Sequence, residues 1–147
     1  MELAILIGIQ GSGKSTFAHR HLGRTHVRIS RDVVKTASRE RVLQHACLSV
    51  EQAFVADNTH PEPRSRAPLI AAAKAAGYRV TAFYFVPDVA LALARNAERD
   101  GKARVPDVAI TATAARLVRP SLAEGFDAIL EVSSVTLEVQ EVSGGPS

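Results

Sequence analysis

Residues 8–15 read Gly8-Ile9-Gln10-Gly11-Ser12-Gly13-Lys14-Ser15, and they decide the fold. They fit the pattern G-x-x-x-x-G-K-[ST] in full and follow the continuous apolar run at residues 3–7. Glycines let the backbone wrap tightly with its N–H groups pointing inward, where they bind phosphates together with a helix N-terminus. We therefore predict a phosphate-binding loop between a buried strand and a helix. The predicted nucleotide-binding residues are Gly8, Gly11, Ser12, Gly13, Lys14, Ser15 and Thr16.

Strand-like and helix-like stretches alternate along the rest of the chain. The strand-like stretches are residues 3–7, 26–30, 54–56, 79–86 and 128–132, and the helix-like ones are 14–22, 39–51, 63–76, 89–99 and 107–118. This alternation predicts an α/β fold with a mostly parallel, five-stranded sheet. Residues 135–142 also alternate, which is compatible with a last antiparallel edge strand. We expect one domain over residues 1–143 and a disordered tail at 144–147.

Composition excludes several classes of protein. Hydrophobic residues make up 46% and charged residues 22%, as in ordinary globular proteins and unlike disordered chains. A single cysteine, Cys47, allows neither a disulfide framework nor a Cys-rich zinc site. The apolar run near the N-terminus is too short to span a bilayer and is followed by a lysine motif rather than a cleavage site. We expect a cytoplasmic protein with no membrane segment.

Charge is distributed unevenly. Residues 1–41 carry a net charge of +5, residues 42–119 carry +3, and residues 120–147 carry −5. A basic front and middle favour an anionic partner such as a nucleotide or nucleic acid. A solvated surface without a partner explains the same charges equally well.

Two classes of phosphate-loop protein are excluded by motifs that this chain lacks. A GTPase needs an [NT]-K-x-D motif, and no lysine lies in one. A hydrolysing ATPase needs a glutamate after the Asp that ends an apolar strand, whereas residues 54–58 read Phe-Val-Ala-Asp-Asn. Water is therefore not the expected acceptor, and a small kinase that transfers a phosphoryl group remains.

Two carboxylates follow predicted strands. A kinase acting on an alcohol needs a carboxylate to accept the hydroxyl proton, and Asp32 lies at the end of the second strand, on the edge where ligands bind. Asp32 is equally suited to cap the next helical turn. Asp57 ends the third strand, where it would reach Mg²⁺ through water, hold an acceptor-side residue, or simply form a turn.

A cluster of cations predicts a small lid. Arg95, Arg99, Lys102 and Arg104 lie at the end of one helix and in the loop after it. Phosphoryl transfer needs positive charge on the moving group, often supplied by a mobile segment. The alternative is that these cations complement the helix dipole.

An ordered set of motifs, rather than the loop alone, resembles the kinase domain of polynucleotide 5′-hydroxyl kinases. The resemblance extends to about Val132. Its motifs are residues 8–16, Ser30-Arg31-Asp32, residues 56–61, Arg64-Ser65-Arg66, residues 75–77, Arg95-Asn96-x-x-Arg99 and residues 122–131.

The resemblance implies a P-loop kinase fold with strand order 2-3-1-4-5 and transfer from ATP·Mg²⁺ to a 5′-hydroxyl of DNA or RNA. Lys14 and Ser15 would hold the phosphates and the metal, and Asp32 would be the general base. Arg99, with Arg95 beside it in the nucleotide site, would be the lid arginine. Asp57 would support the acceptor site.

Two positions depart from the family pattern. Lys35 stands where the phage enzyme has an arginine that grips an acceptor phosphate, and lysine keeps the charge but loses the bidentate fork. His60 stands where an asparagine is usual. The chain also lacks the Asp-x-Asp-x-Thr phosphatase motif.

Three functions remain open from the sequence. The first is a polynucleotide 5′-hydroxyl kinase, and the second is a kinase of a small-molecule alcohol such as a sugar acid, nucleoside or antibiotic. The third is a nucleotide-binding protein without turnover. If Lys35, Arg64 and Arg66 line one groove leading from Asp32, a polyanionic acceptor is favoured. If they are scattered, a small acceptor is favoured.

Overall fold

The computed structural model describes residues 1–143, so the predicted disordered tail lies outside the described residues. The strands are β1 (Glu2–Ile7), β2 (Val27–Ile29), β3 (Phe54–Asp57), β4 (Arg79–Val86), β5 (Ala128–Ser133) and β6 (Val139–Ser143). The helices are α1 (Lys14–Phe17), α2 (Arg31–Val34), α3 (Ala37–Ser49), α4 (Pro63–Ala75), α5 (Val89–Ala97) and α6 (Asp107–Arg116). The strands form one sheet in the order β2-β3-β1-β4-β5-β6.

The central strand β1 is apolar because both of its faces are covered. Leu3, Ile5 and Ile7 pack in one cluster with residues of α3 and α4. The alternate residues Ala4 and Leu6 pack in a second cluster with α1 and its continuation. Helices therefore cover both faces of the sheet, as the continuous apolar run predicts.

The predicted strand order 2-3-1-4-5 is confirmed, but the predicted count of five strands is too low. The first five strands pair in parallel, whereas β6 runs antiparallel to β5 and makes a sixth. The alternation at residues 135–142 thus contains a real edge strand, which begins at Val139 because the preceding residues form the turn from β5.

Short elements near the site differ from the predictions. The predicted helix at residues 14–22 is α1 followed directly by a π-helical stretch, Ala18–Leu22. The short helix α2 was not predicted, and α5 ends at Ala97 rather than at Arg99. Two 3₁₀ turns, Gly101–Ala103 and Leu122–Glu124, lie before and after α6.

The topology brings the candidate site residues to one edge of the sheet. The carboxyl ends of the parallel strands β1, β2 and β3 meet there, and each is followed by a segment with predicted functional residues. None of the helices within residues 1–143 is long and apolar enough to cross a membrane.

Candidate active site

The phosphate loop after β1 has the backbone geometry that its glycines permit. Gly11 and Gly13 have φ of 75° and 92°, in the left-handed region that favours glycine. A Cβ atom at Gly8 would lie 2.8 Å from the Cβ of Phe85. The loop is also anchored from the segment after β3, since the N–H of Gly8 donates to the carbonyl of Thr59 at 3.0 Å. The glycines at these positions are therefore required by the shape of the loop.

Lys14 is a buried cation that fits a phosphate. Its Nζ donates to the carbonyls of Gly8 and Ile9 at 3.0 and 2.8 Å, and no carboxylate within residues 1–143 pairs with it. Burial lowers the pKa of Lys14 to about 8, and the charges of Asp57 and Asp32 oppose this shift while that of Arg99 adds to it. The charges of three predicted site residues thus act on one ammonium group. A bound anion would restore the charge that burial disfavours.

Ser15 and Asp57 lie together, and a third residue joins them. The Ser15 hydroxyl donates to Oδ2 of Asp57 at 3.0 Å, and that oxygen also accepts from Nε of Arg28 at 2.6 Å. Nη2 of Arg28 donates to the Ser15 hydroxyl at 3.0 Å. Arg28 was not predicted from the sequence, where the only signal was one charged residue inside a short apolar strand. Asp57 is engaged by the phosphate loop and β2 rather than by a turn.

Asp32 carries a carboxylate that is free within the described part of the chain. Its alternative role as a helix cap is wrong, because Ser30 is the N-cap of α2 and its hydroxyl accepts from the backbone N–H of Asp32 at 3.3 Å. The Asp32 side chain is exposed and its charge acts on Lys14. An exposed carboxylate beside the phosphate loop is the group that a base for hydroxyl activation requires.

A small network fixes the segment that carries Asp32. The backbone N–H of Arg31 donates to the Asn58 side chain at 3.0 Å, and Asn58 donates to Glu40 of α3 at 2.7 Å. Glu40 also accepts from the Arg31 guanidinium at 3.0 Å. Asn58, rather than its neighbour Asp57, makes the contact between β3 and the acceptor-side segment.

The predicted lid is tied to the phosphate loop and to α6. Nη1 of Arg95 donates to the carbonyl of Gly11 at 3.0 Å. The buried Asn96 side chain bonds the backbone of Val105 in both directions and donates to Asp107. Arg99 is exposed and its side chain makes no hydrogen bond to any described residue, so its charge is available to a ligand.

A groove beside the phosphate loop joins the predicted nucleotide residues to others that were missed. We call this cavity of about 310 Å³ the phosphate-loop groove. Its lining residues are Gly11, Gly13, Thr16, Arg20, Arg95, Arg99, Val135, Thr136 and Leu137. Arg20 and the turn between β5 and β6 were not predicted, because only the fold brings that turn to the loop. A Cβ at Gly13 would lie 2.7 Å from Leu137, so the turn packs closely on the loop.

A second groove, of about 270 Å³, lies between α3 and α4, and we call it the α3–α4 groove. His60 lines it, and the ring's Nδ1 carries the hydrogen because it donates to the carbonyl of Leu6 at 2.8 Å. Burial lowers the pKa of His60, so the imidazole is neutral and its Nε2 is an acceptor. Polar groove residues on the helices are Arg31, Glu40, Arg41, Gln44, His45 and Ser65.

The predicted substrate-binding role of Arg66 is corrected by the structure. Arg66 is 0% exposed, and its guanidinium donates to both carboxylate oxygens of Glu124 and to the carbonyls of His60, Pro61 and Val118. All five of its N–H groups are used, so it has no donor left for a substrate. Lys35 and Arg64 are exposed, whereas Arg66 is buried, and therefore the three cations do not line one groove.

A family model described as an AAA domain matches residues 3–120, which is most of the chain. The chain belongs to this family. The AAA domain seen here has a P-loop kinase fold, with the phosphate loop after the first strand of a parallel sheet.

A curated relative of this AAA domain is the bifunctional polynucleotide phosphatase/kinase of Schizosaccharomyces pombe. The two are 28% identical over 135 residues, which cover 89% of this chain and 33% of that protein. The chain thus spans about a third of the length of the relative.

Two solved structures have the same fold as this AAA domain. One is a gluconokinase from Sinorhizobium meliloti 1021, with a TM-score of 0.64, 15% identity, and coverage of 92% of this chain and 83% of that one. The other is Kti12 from Chaetomium thermophilum in complex with ADP-AlF3, with a TM-score of 0.65, 16% identity, and coverage of 89% and 88%. At these identities the comparison concerns the fold.

The oxygen atoms around Ser15 fit a magnesium ion. Mg²⁺ prefers hard oxygen ligands and uses one or two protein groups together with substrate phosphates and waters. Ser15 and Asp57 supply a hydroxyl and a carboxylate that lie 3.0 Å apart at the end of the AAA domain's phosphate loop. Residues 1–143 contain no group of three or more His, Cys, Asp or Glu side chains able to hold a metal without such phosphates.

Proposed function

We propose that this chain is an ATP- and Mg²⁺-dependent kinase that transfers the γ-phosphoryl group to the 5′-hydroxyl of a polynucleotide, DNA or RNA. The observation that carries this proposal is the free carboxylate of Asp32, whose charge acts on the buried Lys14 of a complete phosphate loop. Phosphoryl transfer depends on such positioning of donor and acceptor groups more than on covalent chemistry by the protein.

Each residue has a distinct task in this proposal. Asp32 accepts the proton of the attacking hydroxyl as its oxygen forms a bond to the γ-phosphorus and the bond to the ADP oxygen breaks. Lys14 and Arg99 stabilise the negative charge on the phosphoryl oxygens. Ser15 and Asp57 would hold Mg²⁺, which when bound neutralises phosphate charge. The phosphate-loop groove would take the rest of the nucleotide, with Arg20, Arg95 and Thr136 in its wall.

A polynucleotide acceptor is supported by the relative from S. pombe and by the charge beside Asp32. Lys35, Arg39 and Arg41 are exposed on the segment that follows Asp32, and their side chains form no ion pair with another described residue. Unpaired cations close in sequence to Asp32 favour an anionic acceptor such as a chain of phosphates. Aromatic residues make up only 5% of the sequence, so bases would be held with little stacking.

A small-molecule alcohol is the second candidate acceptor, and a specific observation favours it. Because Arg66 is buried, the row of cations that would have indicated a polyanion is incomplete. The α3–α4 groove is about 270 Å³ and mixes Glu40, His60 and Arg31, which suits a compact polar molecule. A kinase for a sugar acid is consistent with this alternative.

A transfer assay with γ-labelled ATP tests both candidates. The acceptors are a short 5′-hydroxyl oligonucleotide, the same oligonucleotide with a 5′-phosphate, and gluconate. We expect label only on the 5′-hydroxyl strand, and a loss of at least about 10²-fold in Asp32→Asn, the range for a missing general base. Glu141→Gln, a similar loss of one carboxylate on the exposed face of β6, is the control and is expected to keep full activity.

The other outcomes have clear meanings. Label on gluconate alone would show that the acceptor is a small molecule and not a polynucleotide. Binding of ATP without transfer to any acceptor, unchanged in Asp32→Asn, would support a nucleotide-binding protein without turnover.

A further inference from the structure

Arg28 occupies the position between the two residues expected to hold the metal. It lies in β2, on the edge of the sheet, and its side chain extends toward the phosphate loop. Its Nε donates to Oδ2 of Asp57 at 2.6 Å and its Nη2 donates to the Ser15 hydroxyl at 3.0 Å. The Asp57 side chain is 3% exposed and that of Arg28 23%, so this ion pair is largely shielded from water.

The contacts of Arg28 occupy acceptor positions on the Ser15 hydroxyl and on Oδ2 of Asp57, two of the oxygen atoms that would bind a metal. The Ser15 hydroxyl donates its hydrogen to Asp57 and accepts from Arg28, which leaves it one further acceptor position. Asp57 directs one carboxylate oxygen, Oδ2, to both partners. A divalent cation at these oxygens would also lie within a few ångströms of the fixed positive charge of the guanidinium, where like charges repel strongly.

We propose that Arg28 competes with the divalent metal for Ser15 and Asp57, so that the guanidinium must leave this pair when Mg²⁺ binds. The inference rests on the proposed function, because it takes Mg²⁺ as the metal of this site. Arg28 is then a regulator of metal affinity: it holds the carboxylate in place before loading and raises the Mg²⁺ concentration that loading requires. The opposite role, in which Arg28 orients Asp57 for the metal, makes the opposite prediction.

The test is a Mg²⁺ titration of ADP binding, followed by calorimetry, with wild-type protein, Arg28→Gln, Arg28→Lys and Arg24→Gln. Coupling between two sites is typically 5–150-fold, and we expect Arg28→Gln to lower the half-saturating Mg²⁺ concentration about tenfold. Arg28→Lys keeps the positive charge but loses the planar guanidinium that donates to two partners at once, and its half-saturating Mg²⁺ concentration is expected to lie between those of Arg28→Gln and wild type. Arg24 lies in the turn just before β2, is exposed, and makes no ion pair among residues 1–143. Arg24→Gln is therefore the matched control, and its half-saturating Mg²⁺ concentration should equal that of wild type.

The outcomes separate this inference from the proposed function. If ADP binding by wild type depends clearly on Mg²⁺, an unchanged or higher half-saturating Mg²⁺ concentration in Arg28→Gln would overturn the competition. The kinase proposal would stay intact. ADP binding that is independent of Mg²⁺ in all four proteins would overturn the metal site and the competition together. Thermal unfolding without metal, measured on the same samples, identifies any variant that is not folded. If Arg28→Gln is not folded, the half-saturating Mg²⁺ concentration of Arg28→Lys decides whether Arg28 competes with the metal.

Discussion

Replacing Arg66 by methionine tests whether this residue supports the fold or binds a substrate. The guanidinium is fully buried and donates to Glu124 at 3.0 and 3.1 Å and to three backbone carbonyls. Methionine has a similar length and no donor, so the carbonyls and a carboxylate that is 12% exposed would lose their partner. Breaking a buried ion pair by removing one partner costs about 3–5 kcal/mol, and we expect a loss of that size in the free energy of unfolding.

Urea unfolding measures the effect, with an unchanged slope as the sign that the two-state transition is preserved. Arg64→Met is the control, because that arginine is two residues away, 83% exposed and 3.3 Å from Glu62, and exposed pairs contribute at most about 1 kcal/mol. The double variant Arg66→Met/Glu124→Leu should recover part of the lost stability, since it leaves no unpaired charge. A stability loss below about 1 kcal/mol, with a raised KM for the acceptor, would refute the structural role.

Three further predictions concern the phosphate loop and its groove. Because Lys14 has a pKa of about 8 in the free protein and a bound phosphate raises this pKa, ADP binding should take up protons between about pH 8 and 10. Calorimetry in buffers of different ionisation enthalpy measures the proton uptake. Proton uptake that is retained in Lys14→Met would contradict the prediction. Arg99→Ala should lower kcat by about 10²-fold, whereas an effect below about threefold would assign the role to another cation such as Lys102. Arg20→Ala should weaken ADP binding severalfold in equilibrium dialysis because Arg20 lines the phosphate-loop groove, and equal weakening in Arg24→Ala would refute a specific contact.

Local signals explain which parts of the site could be predicted. The phosphate loop is contiguous in sequence, so residues 8–15 contain the glycines and the lysine that define it, although its anchor at Thr59 lies elsewhere in the chain. Strand β4 was predicted with its observed bounds because Gly77 precedes it and its apolar run is long. The free carboxylate of Asp32 could be suggested from its place after a strand, but its competing role as a cap was settled only by the hydrogen bond of Ser30.

Long-range packing explains what could not be predicted. A sequence shows that Arg66 is charged but not that it is buried and paired with Glu124, far along the chain. Arg28 and the β5–β6 turn reach the site only through the order of the strands, and no motif marks them. The helix α2 is only four residues long, too short for a periodic apolar pattern.

The position of β1 in the sheet has a consequence for folding. It precedes the other five strands along the chain, yet its neighbours in the sheet are β3 and β4, with Leu3 opposite both Phe54 and Val80. Contacts so distant in sequence close large loops before they contribute stability, which slows folding. Until β4 has been synthesised as far as Val86, β1 cannot be paired on both of its edges, and the nascent chain exposes this apolar strand together with an unsupported phosphate loop.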